Sequence, residues 1–269
     1  MTAACVQFLM SAVVIVAAGT LLTRCADLLA ERTGLGRLLV GSILLAGATS
    51  LPELTVDISA VRAGWPDLAA GDLLGSSLFN LMILAVLDLS TVSKGRMLSR
   101  VAAGHALSGN FSAALTMLVG LCLMTRTVSA NGELLGISYG LWLVVLGYIL
   151  GVRLVYCDQK ASAALAASPV EHRVEGGLFK PAAGFCLAAG VIVVVGPYLS
   201  DAAGRIAELS GLGKTFVGTT LVAFSTSLPE LVASLVALRM GALDLAVGNV
   251  FGSNAFNMIL LAPLDLVHR

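Results

Sequence analysis

Charge is scarce in this chain. Only 12% of its residues are Asp, Glu, Lys or Arg, about half of the roughly 25% usual in soluble domains. The 16 basic and 16 acidic residues cancel, so the basic surface that a nucleic-acid partner needs is excluded. Cysteine is sparse and scattered: Cys5, Cys25, Cys122, Cys157 and Cys186 contain no C-x-x-C pair, and apolar packing is their expected role rather than disulfides or metal. His105, His172 and His268 share no ligand spacing, which argues against a zinc site. No E-x-x-H occurs, which disfavours carboxylate di-metal enzymes. Alternating ten-residue strands of the membrane-barrel kind are absent. No cofactor is expected.

What the chain has in quantity is hydrocarbon. Hydrophobic residues make up 58% of it and its mean hydropathy is +0.95. Apolar runs recur near 4–23, 38–61, 68–90, 101–124, 134–155, 180–199, 215–238 and 244–266. Each approaches the ~20 residues a helix needs to cross ~30 Å of hydrocarbon, where helices satisfy their own backbone polar groups. The expected fold class is an all-α membrane protein with about eight transmembrane helices. No basic residue precedes the first run, and the same pattern continues through seven more, so it reads as a retained span and not a secretory signal.

Counting Lys and Arg loop by loop sets an orientation. With the N-terminus outside, the inner side holds eleven (Arg24, Arg32, Arg37, Lys94, Arg96, Arg100, Arg153, Lys160, Arg173, Lys180, Arg239) and the outer side five (Arg62, Arg126, Arg205, Lys214, Arg269). The positive-inside rule favours this arrangement. Residues 156–179 then form a short cytoplasmic linker between a first unit, 1–155, of five spans and a second, 180–269, of three.

Residues 40–88 match 217–265 without gaps at a fixed offset of 177, with 25 identities in 49 positions. T-S-L-P-E-L, R-x-G-x-x-D-L-A-x-G and G-S-x-x-F-N all recur, more than apolar bias supplies. This is a duplicated unit. Five spans separate the starts of the copies, so the second enters the membrane from the opposite side. Inverted repeats of this kind build secondary transporters whose ion site lies near the midplane, where the copies meet.

The repeated stretches "AGATSLPELTVD" (46–57) and "AFSTSLPELVAS" (223–234) put polar residues where hydrocarbon is expected. Pro52 and Pro229 each deprive the carbonyl four residues earlier, at Ala48 or Ser225, of its helical partner and bend the span. Thr49, Ser50, Thr226 and Ser227 add hydroxyls. Such hard oxygens suit Na⁺, Ca²⁺ or protons. Glu53 and Glu230 supply charge at a depth where an acidic residue costs about 2.5 to 3.5 kcal/mol on insertion scales. One Ca²⁺ or two Na⁺ cancel the pair, and no Lys or Arg lies at that depth to do so instead.

Helical periodicity extends the polar faces. Thr49, Glu53 and Asp57 fall on one stripe, and Thr226, Glu230 and Ser234 on another. Asp72, Ser76 and Asn80 form a third, and Asn249, Ser253 and Asn257 a fourth. Hydrogen bonding between helices accounts for Ser76 or Ser253 alone but poorly for the Glu-bearing stripes. Gly71 with Gly75, and Gly248 with Gly252, have the spacing of a close helix crossing.

These motifs, G-A-T-S-L-P-E-L with G-S-S-L-F-N and F-S-T-S-L-P-E-L with G-S-N-A-F-N, resemble the two alpha repeats of the cation/Ca²⁺ exchanger superfamily, sodium/calcium exchanger-like membrane antiporters. The resemblance implies Glu53 and Glu230 as central ligands, surrounded by Thr49, Ser50, Thr226, Ser227 and the carbonyls of Ala46 and Ala223. Ser76, Asn80, Ser253 and Asn257 would complete the sodium positions. Three departures stand out. Asn257 occupies a position that is Asp in some relatives and Asn in others. Asp57 and Asp72 replace the Ser and Asn expected there; on the outer side of the glutamates in this topology, they read as an acidic mouth that attracts cations, with a mutually protonated or simply hydrated pair as the alternative. Finally, the family pattern is five spans plus five, so counterparts of 101–124 and 134–155 are expected to be missing from the second half. A partner chain or a second copy would then cover the side left open.

The resulting expectation is a multi-pass protein of the plasma (inner) membrane that exchanges Ca²⁺ for Na⁺ by alternating access, with no covalent chemistry. Ca²⁺/H⁺ exchange through the same glutamates, or a cation-binding subunit that does not transport, are the alternatives. An intramembrane hydrolase is disfavoured, since no His or Lys lies within helical reach of the candidate serines.

Overall fold

The computed structural model describes residues 1–91, 102–125, 132–165, 177–210 and 223–268. Lys94, Arg96, Arg100, Arg126, Arg173, Lys214, Arg269, the middle of the linker and the first part of the 215–238 run lie outside the described residues.

The chain enters as α1 (Thr2–Thr33), which runs about ten residues beyond the apolar stretch. Gly34 ends it in the left-handed region (φ 69°), its N–H bonded to the Ala30 carbonyl, a conformation that glycine adopts without steric cost. Arg37 then pins the corner by bonding Asp27 at 2.5 Å and Glu31 at 2.8 Å. The second span is divided into α2 (Arg37–Thr49) and α3 (Leu51–Arg62), bent by 41°. After it come α4 (Pro66–Thr91), α5 (Ala102–Met124), α6 (Tyr139–Leu165) and α7 (Phe179–Leu209). A short helical turn at 223–226 precedes α8 (Leu228–Arg239) and α9 (Leu243–His268). Among the described residues six unbroken helices are long and apolar enough to cross a membrane, and the bent pair makes a seventh span; the 215–238 run is described only from residue 223. The chain is an integral multi-pass membrane protein.

Helix α6 continues to Leu165, so residues after 155 remain helical for about three turns. The fifth span does not begin at 134: Glu133–Leu134 and Ile137–Ser138 pair as a minimal antiparallel hairpin that enters α6. The hairpin is tied to α9, where Asp265 Oδ2 accepts the Ser138 N–H at 2.8 Å and its hydroxyl at 2.7 Å. Asp265→Ala leaves a buried donor unmade, at a cost of about 1–3 kcal/mol. The expected outcome is a lower midpoint of thermal unfolding in detergent; a midpoint equal to wild type would refute this anchoring role. The cysteines also divide: Cys25 and Cys122 are packed, while Cys5, Cys157 and Cys186 are exposed, and all five are free.

Helix α9 is central. Of its apolar window 67% is buried, against 22–33% for the other unbroken spans. One apolar cluster joins Ile15 and Leu22 of α1, Ile192 and Leu199 of α7, and Val232 of α8. Another joins Leu73 of α4, Leu115 and Val119 of α5, Val144 of α6 and Met258 of α9. The repeat is therefore covered unequally. Leu78 and Leu81 on α4 are 70% and 45% exposed, whereas their counterparts Ala255 and Met258 are 1% and 0% exposed. That face of α4 is left to lipid or to another polypeptide.

The repeat also reaches further than 40–88. At the same offset of 177, V-I-V at 14–16 meets V-I-V at 191–193, and Gly19 meets Gly196. The packing repeats too: a Cβ at Gly19 would lie 3.0 Å from Val232 Cγ1, and one at Gly196 would lie 2.6 Å from Pro52 Cβ. Each copy's leading helix thus packs on the other copy's broken segment.

Candidate functional site

Both breaks adopt one conformation, Ser50 at φ −87°, ψ 3° and Ser227 at φ −84°, ψ 6°. The chain turns at these serines rather than at the prolines, which occupy the first turn of α3 and α8. There the missing N–H is no loss, because first-turn amides have no intrahelical acceptor. The bend thereby places Glu53 and Glu230 in a first helical turn, where free amides and the positive end of the helix dipole favour negative charge.

The copies bring these residues together. Ser50 Oγ, three residues before Glu53, donates to Glu230 Oε1 across the interface at 3.2 Å. Glu53 is 1% exposed and Glu230 fully buried. One oxygen of each, Glu53 Oε2 and Glu230 Oε2, has no hydrogen-bond partner among the described residues. Among the described residues no Lys or Arg forms an ion pair with either glutamate.

The other expected residues gather around them. Thr49 Oγ1 lies 3.4 Å from Asn249 Oδ1 and 3.5 Å from Ser253 Oγ. The Ala46 carbonyl accepts the Ser50 N–H at 3.0 Å and the Thr49 hydroxyl at 3.2 Å; the Ala223 carbonyl accepts the Ser227 N–H at 3.1 Å and the Thr226 hydroxyl at 3.0 Å. Ser76 Oγ, Asn80 Oδ1, Ser227 Oγ and both polar atoms of Asn257 are buried without a partner. Each such atom costs about 1–3 kcal/mol when it is left unpaired.

Sequence reading undervalued three side chains. Asn249 donates to Ser234 Oγ at 3.1 Å and to the Glu230 carbonyl at 3.4 Å, so both belong to the site and not merely to its stripes. Asn254 accepts from Asn80 Nδ2 at 3.0 Å. It sits one residue off the Asn249–Ser253–Asn257 stripe, and its counterpart in the first copy is Ser77, so neither periodicity nor the repeat marked it. Asp57 and Asp72 are not at an open mouth in this conformation: Asp57 is 1% exposed and Asp72 half-buried. Among the described residues no three His, Cys, Asp or Glu side chains converge as a metal cluster. The donor set is two carboxylates amid hydroxyls, amides and carbonyls.

The glycine pairs behave unequally. Gly248 and Gly252 on α9 meet the backbone of α2 at Leu38, Gly41 and Ser42, the expected close crossing. Gly71 and Gly75 meet nothing within 4 Å. By the repeat, residues 215–219 would be their neighbours, and these lie outside the described residues.

Membrane-crossing helices in two opposed copies, each copy broken beside a buried acid at their interface, define an inverted-repeat secondary transporter. The chain belongs to the sodium/calcium exchanger protein family, whose profile it matches over residues 3–90 and 180–268. It is 29% identical over 248 residues to the inner membrane protein YrbG of Escherichia coli, covering 89% of this chain and 72% of that protein. It is 43% identical over 94 residues to the sodium/calcium exchanger MaX1 of Methanosarcina acetivorans, covering 35% of this chain and 27% of that protein. Solved structures of the sodium-calcium exchanger NCX_Mj share its fold, with a TM-score of 0.70 at 19% identity over 99% of this chain and 82% of that one. Its kinship is with ion exchangers and transporters, not with enzymes.

Proposed function

We propose that this protein exchanges Ca²⁺ for Na⁺ across the membrane by alternating access, the two ions competing for Glu53 and Glu230. The observation that supports it most is that Ser50, three residues before the buried Glu53, reaches the buried Glu230 of the other copy, with no basic partner for either acid among the described residues. The −2 charge is cancelled by one Ca²⁺ or by two Na⁺, which makes occupancy by one exclude the other. Thr49, Ser50, Thr226 and Ser227 would add hydroxyl ligands, and Ser76, Asn80, Ser253 and Asn257 the further sodium positions. The carbonyls of Ala46 and Ala223 would serve once their threonine hydroxyls turn away. Family membership supports cation antiport, and relatives are named as sodium/calcium exchanger and calcium ion transporter. The excess of basic residues on one side supports an N-terminus facing outward from a plasma (inner) membrane.

The test is Ca²⁺ uptake into liposomes holding this chain alone. An outward Na⁺ gradient is expected to drive uptake, and a pH gradient without Na⁺ to drive none. Uptake driven by the pH gradient alone would overturn the choice of Na⁺ in favour of protons. Binding without flux under either gradient would mark a cation-binding subunit instead.

A further inference from the structure

The two copies differ in charge at one pair of positions. In the second copy, Ser234 and Asn249 form a neutral hydrogen bond at 3.1 Å. At the equivalent positions of the first copy stand Asp57 and Asp72. Asp57 on α3 and Asp72 on α4 stand where Ser234 and Asn249 stand on α8 and α9, at the fixed offset of 177. Asp57 is 1% exposed. Among the described residues the Oδ2 atoms of both are buried without a hydrogen-bond partner, as is Ser76 Oγ, one turn along α4 from Asp72. Among the described residues no Lys or Arg forms an ion pair with either.

Two ionised carboxylates cannot reproduce the bond of the Ser–Asn pair, because in that state neither has a proton to give. A hard cation between them satisfies both free oxygens and removes their repulsion, and Ca²⁺ neutralises the pair outright. Asp57 lies four residues from Glu53 on the same helix face, about 6 Å along the axis, toward the 63–65 turn. We propose that Asp57 and Asp72 form a second Ca²⁺ site, specific to the first copy, which holds the ion between that side of the membrane and the Glu53–Glu230 pair. The inference rests on the reading of the glutamates as ligands and adds a way station to it. The site is asymmetric, and the approach from the second copy's side has no counterpart.

The test is equilibrium ⁴⁵Ca²⁺ binding to the purified full chain in detergent, with Na⁺ absent. Glu53→Gln with Glu230→Gln is expected to abolish the tighter site and retain about one weaker Ca²⁺ per chain. Adding Asp57→Ser with Asp72→Asn is expected to remove that remainder. This pair recreates the hydrogen-bonded arrangement already held by Ser234 and Asn249, and a monodisperse gel-filtration peak checks that it folds. If the double glutamine variant binds no Ca²⁺, the aspartates hold a shared proton or none, and the second site is refuted while the glutamate reading stands. Residual binding that survives Asp57→Ser with Asp72→Asn also refutes it. Binding by the double glutamine variant equal to wild type sinks the glutamate reading, and this site with it.

Discussion

Glu53→Gln or Glu230→Gln is expected to lower Ca²⁺ uptake by about 100-fold or more. Glutamine keeps the volume and an acceptor oxygen, so Ser50 can still donate to position 230, and the broken helices keep their packing. What disappears is one charge of two. A divalent ion then leaves an uncompensated positive charge in a buried site, and breaking a buried charge pair costs about 3–5 kcal/mol. At about 1.4 kcal/mol per factor of ten, that exceeds two orders of magnitude in affinity. A single Na⁺ loses less, because the remaining carboxylate still neutralises it. The measurement is initial ⁴⁵Ca²⁺ uptake into proteoliposomes at matched protein incorporation. Activity within about threefold of wild type for either variant would remove the glutamates from the ion path.

Gly248→Ala is expected to destabilise the whole bundle. A Cβ there would sit 2.5 Å from the Leu38 carbonyl oxygen and 3.1 Å from the Ser42 amide nitrogen. Both are backbone atoms of α2, so no side chain can swing aside and the helices themselves must separate. Gly41→Ala meets the same crossing from the other side, 2.6 Å from the Leu245 carbonyl oxygen. Overpacking of this kind costs about 1–3 kcal/mol and sometimes more, which corresponds to a fall in Tm of about 5 °C. Separation also moves Asn249 and Ser253 away from Thr49, so transport should fall with stability. Gly190→Ala and Gly204→Ala, where nothing lies within 4 Å of the added atom, serve as matched controls. Equal melting of Gly248→Ala and these controls would show that the crossing is not as tight as described.

Much of this was legible before any coordinates. Apolar run lengths mark the spans because the bilayer sets a length, and the offset of 177 follows from matching alone. The glutamates stand out because a charge at that depth demands a partner. Other features were hidden for identifiable reasons. Matches such as V-I-V are common by chance among apolar segments, so the repeat's extension into α1 and α7 became visible only when Gly19 and Gly196 were seen packing on opposite breaks. Proline implies a bend near itself, but the turn falls at Ser50 and Ser227, since proline is comfortable just inside a new helix. The topology places Asp57 on the outer side of Glu53 and so suggests a mouth residue, yet packing closes over it.

The sequence by itself determined the bilayer as solvent, the two opposed copies and the acidic pair that the copies must bring to a common depth. Those properties follow from composition and from periodicity along single helices. Only the tertiary structure decided which faces meet: that Ser50 reaches Glu230, that Asn80 finds Asn254, that α9 and not α4 is enclosed, and that Asp57 is buried. Helical spacing orders residues along a face, but which face meets which depends on how closely two backbones approach. That distance is set by glycines and side-chain volumes on helices far apart in the chain.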